Sequence, residues 1–252
     1  MTETTRVTAA FIIIGNEILS GRTQDANLSF LAGRLGEAGI QVVEARVIPD
    51  VEETIIHTVR ELSAKVDYVF TSGGIGPTHD DITADAIARA FGTETFEDPD
   101  AVAILERHYA EGEFNAARRK MARVPRGSTL LDNPVSSAPG FRIENVHVLA
   151  GVPKIMQAMV DMLLPSLTRG AVVESRTITV LIGESVIATE MGEVEAAFAD
   201  VDVGSYPYFK PGASGTSIVL RGSNIPMLEQ ALAAITAKLE AREIGIWSGD
   251  HK

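Results

Sequence analysis

The chain has 252 residues, 45% of them hydrophobic, and no cysteine. This length can bury one large core or two modest ones, and the lack of cysteine excludes disulfides, thiolate nucleophiles and cysteine-based zinc sites. A formal net charge of −12 argues against a nucleic-acid partner, because duplex binding depends on Lys and Arg that neutralise phosphates. The polar first residues and the absence of any apolar run near 18 residues predict a cytoplasmic protein without a membrane partner.

Strands and helices alternate in the first third of the chain. The nearly continuous apolar run Val7–Ile14 predicts a strand covered on both faces. A helix is predicted from Asn27, followed by a strand over residues 41–48, a helix over 51–64 and a strand over 66–71. Because parallel strands joined through helices require right-handed crossovers, this order predicts an α/β three-layer sandwich with a mostly parallel sheet.

Further elements complete the first predicted domain, residues 1–170. They are helices over residues 82–91, 100–109 and 114–121, a loop over 125–140, a hairpin of 141–143 with 146–150, and a helix from Pro153. Proline suits the first turn of a helix, where its missing N–H costs nothing.

The remainder, residues 171–252, shows a β-α-β-β-α-β order. The predicted elements are a strand over 176–182, a helix over 184–199, strands over 203–209 and 216–221, a helix over 225–242 and a strand over 244–247. This order predicts a small α+β ferredoxin-like second domain.

Polar or glycine-rich segments follow four predicted strands of the first domain. In open α/β sheets, ligands bind where the carboxyl ends of parallel strands open into loops, so these segments are expected to meet at one edge. They are Gly15, Asn16 and Glu17 after the first strand, Asp50 after the second, residues 72–81 after the third, and Gly151, Pro153 and Lys154 after the strand of the hairpin.

The segment 72–81 predicts a phosphate cradle built on Ser72, Gly73, Gly74, Gly76 and Thr78. Glycine lets backbone N–H groups approach phosphate oxygens closely. The segment is not a P-loop, because Gly-Lys-Ser/Thr is missing, and it is not a dinucleotide fingerprint. The alternative is a tight strand-to-helix turn without a ligand.

Each charged candidate also has a structural alternative. Asp80 and Asp81 could cap a helix, or hold a divalent cation and position a water molecule. Asp50 could cap the helix over 51–64, and Glu17 could be a solvated loop acid. Lys154 lies in the first turn of a helix, against its dipole, where a cation could clamp phosphate.

With these motifs the chain resembles the MoaB/Mog molybdopterin-binding domain family, and most closely the amino-terminal region of the competence/damage-inducible protein A (CinA) family. The resemblance covers about residues 7–165, and the second domain is similar to the one that follows in that family. The motifs that carry it are Ile14-Gly15-Asn16-Glu17-Ile18-Leu19, Gly21, Asp25, Asn27, residues 71–81, Thr83, Asn133-Pro134, Ala138-Pro139-Gly140-Phe141 and Gly151-Val152-Pro153.

The resemblance implies a site that binds a pterin phosphate or an adenine nucleotide over the glycine loop, in a homo-oligomer. It implies catalytic roles for Asp50 and Asp81, with Asp80 and Glu17 as supporting polar groups, and a binding role for Asn27 in a shared motif. A divalent metal (Mg, Mn or Co) is expected at Asp80 and Asp81. In the CinA branch the resemblance implies metal-dependent hydrolysis of a nucleotide pyrophosphate such as ADP-ribose, and a related domain precedes the synthetase module in some FAD synthases.

Two other functions remain open on the same residues. One is molybdopterin binding or adenylylation, and the other is nucleotide binding without turnover. The sequence departs from the CinA pattern at Asn16, where Thr or Asp is common, and at Val152, where Pro is common. No nicotinamide-nucleotide deamidase domain follows residue 252, so that activity is expected to be absent.

Overall fold

The structure, a computed structural model, describes residues 6–210 and 213–247. They form two compact units, divided between Ala171 and Val172. Among the described residues, the structure contains no helix with the length and apolar character needed to cross a membrane.

The first unit interleaves helices with short and long strands. Its helices are α1 (Asn16–Leu19), α2 (Asn27–Glu37), α3 (Glu52–Ser63), α4 (Thr83–Ala90), α5 (Pro99–His108), α6 (Ala116–Arg119) and α7 (Pro153–Leu163), with 3-10 turns at Lys120–Ala122 and Leu164–Ser166. Its strands are β1 (Val7–Ile14), β2 (Ile40–Ile48), β3 (Tyr68–Ser72), β4 (Thr95–Glu97), β5 (Arg123–Pro125), β6 (Thr129–Leu131), β7 (Gly140–Ile143) and β8 (Val146–Leu149).

A six-stranded sheet in the order β2-β1-β3-β8-β7-β6 forms the centre of this unit. The first four strands run parallel, with Phe11 of β1 opposite Ala45 and Phe70, and β8-β7-β6 continue antiparallel. The hairpin of β7 and β8 is the one that the sequence predicts. The prediction of a mostly parallel sheet is confirmed.

Helices cover both faces of this sheet, as the continuous apolar run of β1 predicts. Ala10, Ile12 and Ile14 face one core with α3 and α4, and the alternate residues Phe11 and Ile13 face a second core with α2 and α7. Each fully buried large side chain contributes about 1.5–3 kcal/mol. The two cores therefore hold the three-layer sandwich together from both faces of one strand.

The region between α4 and β7 differs most from its prediction. The helix predicted over 114–121 ends at Arg119, and the chain passes through the 3-10 turn Lys120–Ala122 into β5, which pairs with β4. The loop predicted over 125–140 contains β6, an edge strand of the large sheet. These short strands are set by pairing with distant residues, which local periodicity does not report.

The second unit is the predicted ferredoxin-like α+β domain. It contains β9 (Glu174–Val180), a 3-10 turn (Glu184–Val186), α8 (Ala188–Ala197), β10 (Asp202–Lys210), β11 (Ala213–Gly222), α9 (Ile225–Ala241) and β12 (Ile246–Trp247). The antiparallel order β10-β11-β9-β12 is the ferredoxin-like order, and its inner face packs on α8 and α9. The helix predicted over 184–199 begins as the 3-10 turn, and the last strand is shorter than predicted.

Candidate functional site

The carboxyl ends of the parallel strands are tied together by backbone hydrogen bonds. Gly15 N donates to Ile48 O at 3.1 Å, which joins the ends of β1 and β2, and Gly73 N donates to Leu149 O at 3.3 Å, which joins the ends of β3 and β8. The four predicted polar segments therefore leave the sheet side by side.

Gly73 and Gly74 allow this close packing. Both have positive φ angles, +105° and +69°, which L side chains rarely adopt. A Cβ atom on Gly73 would lie 2.1 Å from Ile14 O, and one on Gly74 would lie 2.1 Å from the Oγ1 atom of Thr83. The backbone of a tight strand-to-helix turn therefore requires glycine at these two positions.

A cleft of about 380 Å³ opens over this loop. Of the predicted site residues, it is lined by Glu17, Asp50, Gly73, Gly74, Gly76, Thr78, Asp80, Asp81 and Gly151. In the part of the chain that the structure describes, the backbone N–H groups of Gly74, Ile75 and Gly76 donate to no protein acceptor. Consecutive free N–H groups in a glycine-rich turn are suited to bind an anion.

Asp81 closes the loop instead of capping α4. Its Oδ2 atom accepts hydrogen bonds from Thr78 N at 2.7 Å and from Thr78 Oγ1 at 2.5 Å. Helix α4 begins two residues later, at Thr83, and the residue that precedes it, Ile82, has no side-chain cap. The Asp81 carboxylate lies against Gly76, where a Cβ atom would be 2.7 Å from Oδ2. Among the described residues, its Oδ1 atom accepts no hydrogen bond.

Asp50 and Glu17 approach the cleft from the ends of β2 and β1. The Oδ2 atom of Asp50 accepts a hydrogen bond from Asn16 N at 2.9 Å. Among the described residues, no side chain caps the amino terminus of α3. The prediction that Asp50 could cap this helix is therefore wrong. The carboxylate of Glu17 folds over Gly15, where a Cβ atom would be 2.6 Å from Oε1.

Asp80 carries its negative charge at neutral pH. The neighbouring Thr78 hydroxyl, followed by the Asp80 backbone N–H, lowers the pKa of this carboxyl below its ordinary value. With Glu17, Asp50 and Asp81, Asp80 completes a set of four acidic side chains that line the cleft.

This donor set fits a hard cation bound together with a phosphate. Carboxylate oxygens suit Mg²⁺ or Mn²⁺. Within residues 6–210 and 213–247, however, no three His, Asp or Glu side chains cluster closely enough to hold a metal ion by themselves. Phosphate oxygens would have to complete the coordination, which is usual for Mg²⁺ in phosphoryl-transfer sites.

The remaining predicted site residues do not line the cleft. Asn27 is buried and donates from Nδ2 to Gly151 O at 2.9 Å, so it supports the last loop of the site. Asn16 contributes its backbone N–H to Asp50. The others are Gly15, Ser72 at the end of β3, Pro153 in the first turn of α7, and the exposed Lys154.

Sequence reasoning missed four further residues that line the cleft. Met121, Asn133, Ser136 and Ala138 line the cleft. Asn133 fixes this part of the cleft, because its Nδ2 atom donates to Ala138 O at 2.7 Å. The motifs Asn133-Pro134 and Ala138-Pro139-Gly140 could have indicated it, whereas nothing in the sequence placed residue 121 there.

Two known protein families match the chain. Residues 10–169 match the family described as "Probable molybdopterin binding domain", and residues 172–245 match the middle domain of FAD synthase. The crystal structure of the protein CinA from Thermoplasma acidophilum covers 64% of this chain and is itself covered to 99%, at 34% identity and a TM-score of 0.61.

Curated relatives extend over both units. A protein from Archaeoglobus fulgidus is 38% identical over 80% of this chain and 86% of its own length. A CinA-like protein from Citrifermentans bemidjiense is 34% identical over 92% of this chain, which spans 58% of that protein. The chain therefore belongs to the MoaB/Mog molybdopterin-binding domain family, as a CinA-like member whose second domain is of the FAD synthase middle-domain type.

Proposed function

We propose that the first unit binds the phosphate groups of a nucleotide in the cleft and hydrolyses a nucleotide pyrophosphate, such as ADP-ribose or FAD, with a divalent cation. One observation carries this proposal: free N–H groups of the glycine loop and the acids Asp50 and Asp81, from different strand ends, border one cleft of about 380 Å³. That volume lies within the range of small-molecule sites.

The reaction would be attack of water on one phosphorus of the pyrophosphate. The bond between that phosphorus and the bridging oxygen breaks, so ADP-ribose gives AMP and ribose phosphate, and the water proton is lost to solvent. The N–H groups of Gly74, Ile75 and Gly76 would hold the phosphoryl oxygens and stabilise the charge that develops on them. The free Oδ1 atom of Asp81 would orient the attacking water.

The acids would also hold the cation. Asp80 and Asp81 lie at the end of the glycine loop, and Asp50 would approach from the neighbouring strand end. A bound divalent ion neutralises the phosphate charge and polarises the phosphorus–oxygen bonds. Without it, four carboxylates in one cleft would repel a pyrophosphate.

An assay with three substrates tests the proposal. Purified protein is incubated with ADP-ribose, FAD or ATP, each with Mg²⁺, Mn²⁺ or Co²⁺, and AMP release is measured. We expect release from at least one substrate that depends on the metal. Binding of these nucleotides without any release of AMP would favour the non-catalytic alternative.

The family match supports a second candidate, the binding or adenylylation of molybdopterin in the same cleft. A pterin phosphate presents the same anionic group to the glycine loop, so both candidates use the same N–H groups. Titration with a pterin phosphate, in competition with ADP-ribose, distinguishes the ligands. Tighter binding of the pterin, together with transfer of AMP from ATP to it, would identify the transferase.

A further inference from the structure

A lysine lies beside the acidic cleft at the end of α6. Lys120 begins the 3-10 turn Lys120–Ala122, and its Nζ atom donates a hydrogen bond to the backbone oxygen of Thr78 at 2.5 Å. Thr78 lines the cleft and also binds Asp81. Lys120 therefore contacts the same loop that would carry the phosphate.

Lys120 has no close ion-pair partner in the part of the chain that the structure describes, although its charge acts on the nearby Asp80 and helps to lower the pKa of that carboxyl. Lys65 and Lys238 each contact a carboxylate, Glu61 and Glu193. The hydrogen bond of Lys120, by contrast, goes to a neutral carbonyl oxygen. A carbonyl gives an ammonium group less stabilisation than an anion does, so a phosphate could displace it at little cost.

Lys120 also lies next to the cleft. A smaller cavity adjoins the cleft and shares with it Gly74, Ile75, Gly76 and Asp81, and Lys120 lines this smaller cavity. The flexible four-carbon stem of a lysine allows its ammonium group to move several ångströms. The described residues that line the larger cleft include no Lys or Arg. Lys120 and Arg123 both line the smaller cavity, but Arg123 is paired with Asp85, whereas Lys120 contacts the glycine loop.

From these contacts we infer that Lys120 is a phosphate-binding residue that leaves the Thr78 carbonyl to contact a phosphate held on the glycine loop. The inference rests on the proposed site. It extends the site to Lys120 and favours ligands with a pyrophosphate, because two phosphate groups can reach both the N–H groups of the loop and the ammonium group beside Thr78. No step of the hydrolysis is assigned to Lys120.

Binding measurements with Lys120→Met and Lys120→Arg test this inference without requiring turnover. Calorimetric titrations with ADP, AMP and adenosine are made in the presence of Mg²⁺, with Lys65→Met as a control that also removes one positive charge. We expect Lys120→Met to weaken ADP binding about 10- to 100-fold, as loss of a charge-assisted hydrogen bond does, and to leave adenosine binding unchanged. Lys120→Arg is expected to retain most of the affinity.

A purely structural role would give a different pattern. If Lys120 only anchors Thr78, Lys120→Met should weaken ADP and adenosine equally, and the dependence of ADP affinity on salt should not change. That pattern, or unchanged ADP affinity, would overturn the inference while the proposed hydrolysis could still stand. Lys120-dependent ADP binding without any hydrolysis would uphold it and refute the proposed activity, and absence of ADP binding by the unaltered protein would refute both.

Discussion

At the scale of single residues, Asp81 and Asp50 share one arrangement. Each carboxylate accepts a hydrogen bond at Oδ2, from Thr78 and from Asn16 respectively, and among the described residues neither Oδ1 atom accepts one. An asparagine retains one acceptor oxygen but loses the charge. Substitution by Asn therefore separates the structural contribution of each residue from its chemical one.

We expect Asp81→Asn to lower turnover by about two orders of magnitude, as loss of a major electrostatic or acid–base group commonly does. Asp50→Asn should lower it in the same direction. AMP release is measured at saturating metal, with thermal unfolding as a check on folding. Asp161→Asn removes a charge from an exposed residue of α7 that pairs with Arg34 and serves as the control. Near-normal turnover in both site variants would leave these aspartates with only structural roles.

His147 of β8 is a buried base that does not line the cleft. Its ring stacks on Phe70 at 5.2 Å and meets the edge of Tyr68 at 5.7 Å, and within the described chain neither ring nitrogen has a hydrogen-bond partner. Burial lowers the pKa of His147 from 6.5 to about 4. The folded protein therefore keeps this ring neutral at pH values where the unfolded chain protonates it.

The lowered pKa of His147 predicts a loss of stability in acid. Below pH 6.5 the His147 ring binds a proton in the unfolded state, whereas in the folded state it stays neutral down to about pH 4. The free energy of unfolding therefore falls by about 3 kcal/mol as the pH is lowered across this window. Urea unfolding at pH 7 and pH 4 is compared between the protein and His147→Met, a variant of similar volume. Between pH 7 and pH 4, the free energy of unfolding of His147→Met should fall by about 3 kcal/mol less than that of the unaltered protein. Equal losses in both proteins would show that His147 does not cause the effect.

At the scale of elements, the sequence predicts what local periodicity determines. The strand β1 and helices α2, α3 and α7 appear where apolar spacing places them, because each buries one face or both faces in a core. The glycine loop was predicted from its position after β3. The cleft-lining position of Met121 and the cation at Lys120 were missed, because β4 and β5 pair across 28 residues and shorten a helix that local spacing extends.

The glycine loop itself predicts a contrast between neighbouring glycines. Gly74→Ala places a Cβ atom 2.1 Å from Thr83 Oγ1 at a φ angle of +69° and should destabilise the protein by about 1–3 kcal/mol. Gly76→Ala places its Cβ atom 2.7 Å from the Asp81 Oδ2 atom that Thr78 holds, so it should displace the Asp81 carboxylate and weaken ligand binding more than stability. Gly33→Ala, in α2 with open space around it, should stabilise by up to about 1 kcal/mol. Urea unfolding of the three variants measures these differences, and equal stability of Gly74→Ala and Gly33→Ala would contradict this account.

At the scale of the whole molecule, the two units have separate cores. The buried apolar clusters of the first unit end at Leu167, and the cluster of the second begins at Ile178. Every residue that lines the cleft lies between Ile14 and Ile155. The two family matches also meet in this interval, at residues 169 and 172. The first unit therefore contains all of its core and all of the candidate site.

These separate cores predict that a chain ending at Ala171 folds and binds ADP with the affinity of the full chain. The end point matters, because Thr168 N donates to the Tyr68 hydroxyl at 2.9 Å and Gly170 N donates to Ala38 O at 3.2 Å. A chain ending at Ser166 loses both contacts and the buried side chain of Leu167, so it should unfold at lower urea concentration. Circular dichroism, urea unfolding and ADP titration compare the two shortened chains with the full one. Loss of ADP binding by a folded chain ending at Ala171 would show that the second unit is needed for ADP binding. Equal stability of the two shortened chains would show that residues 167–171 do not stabilise the first unit.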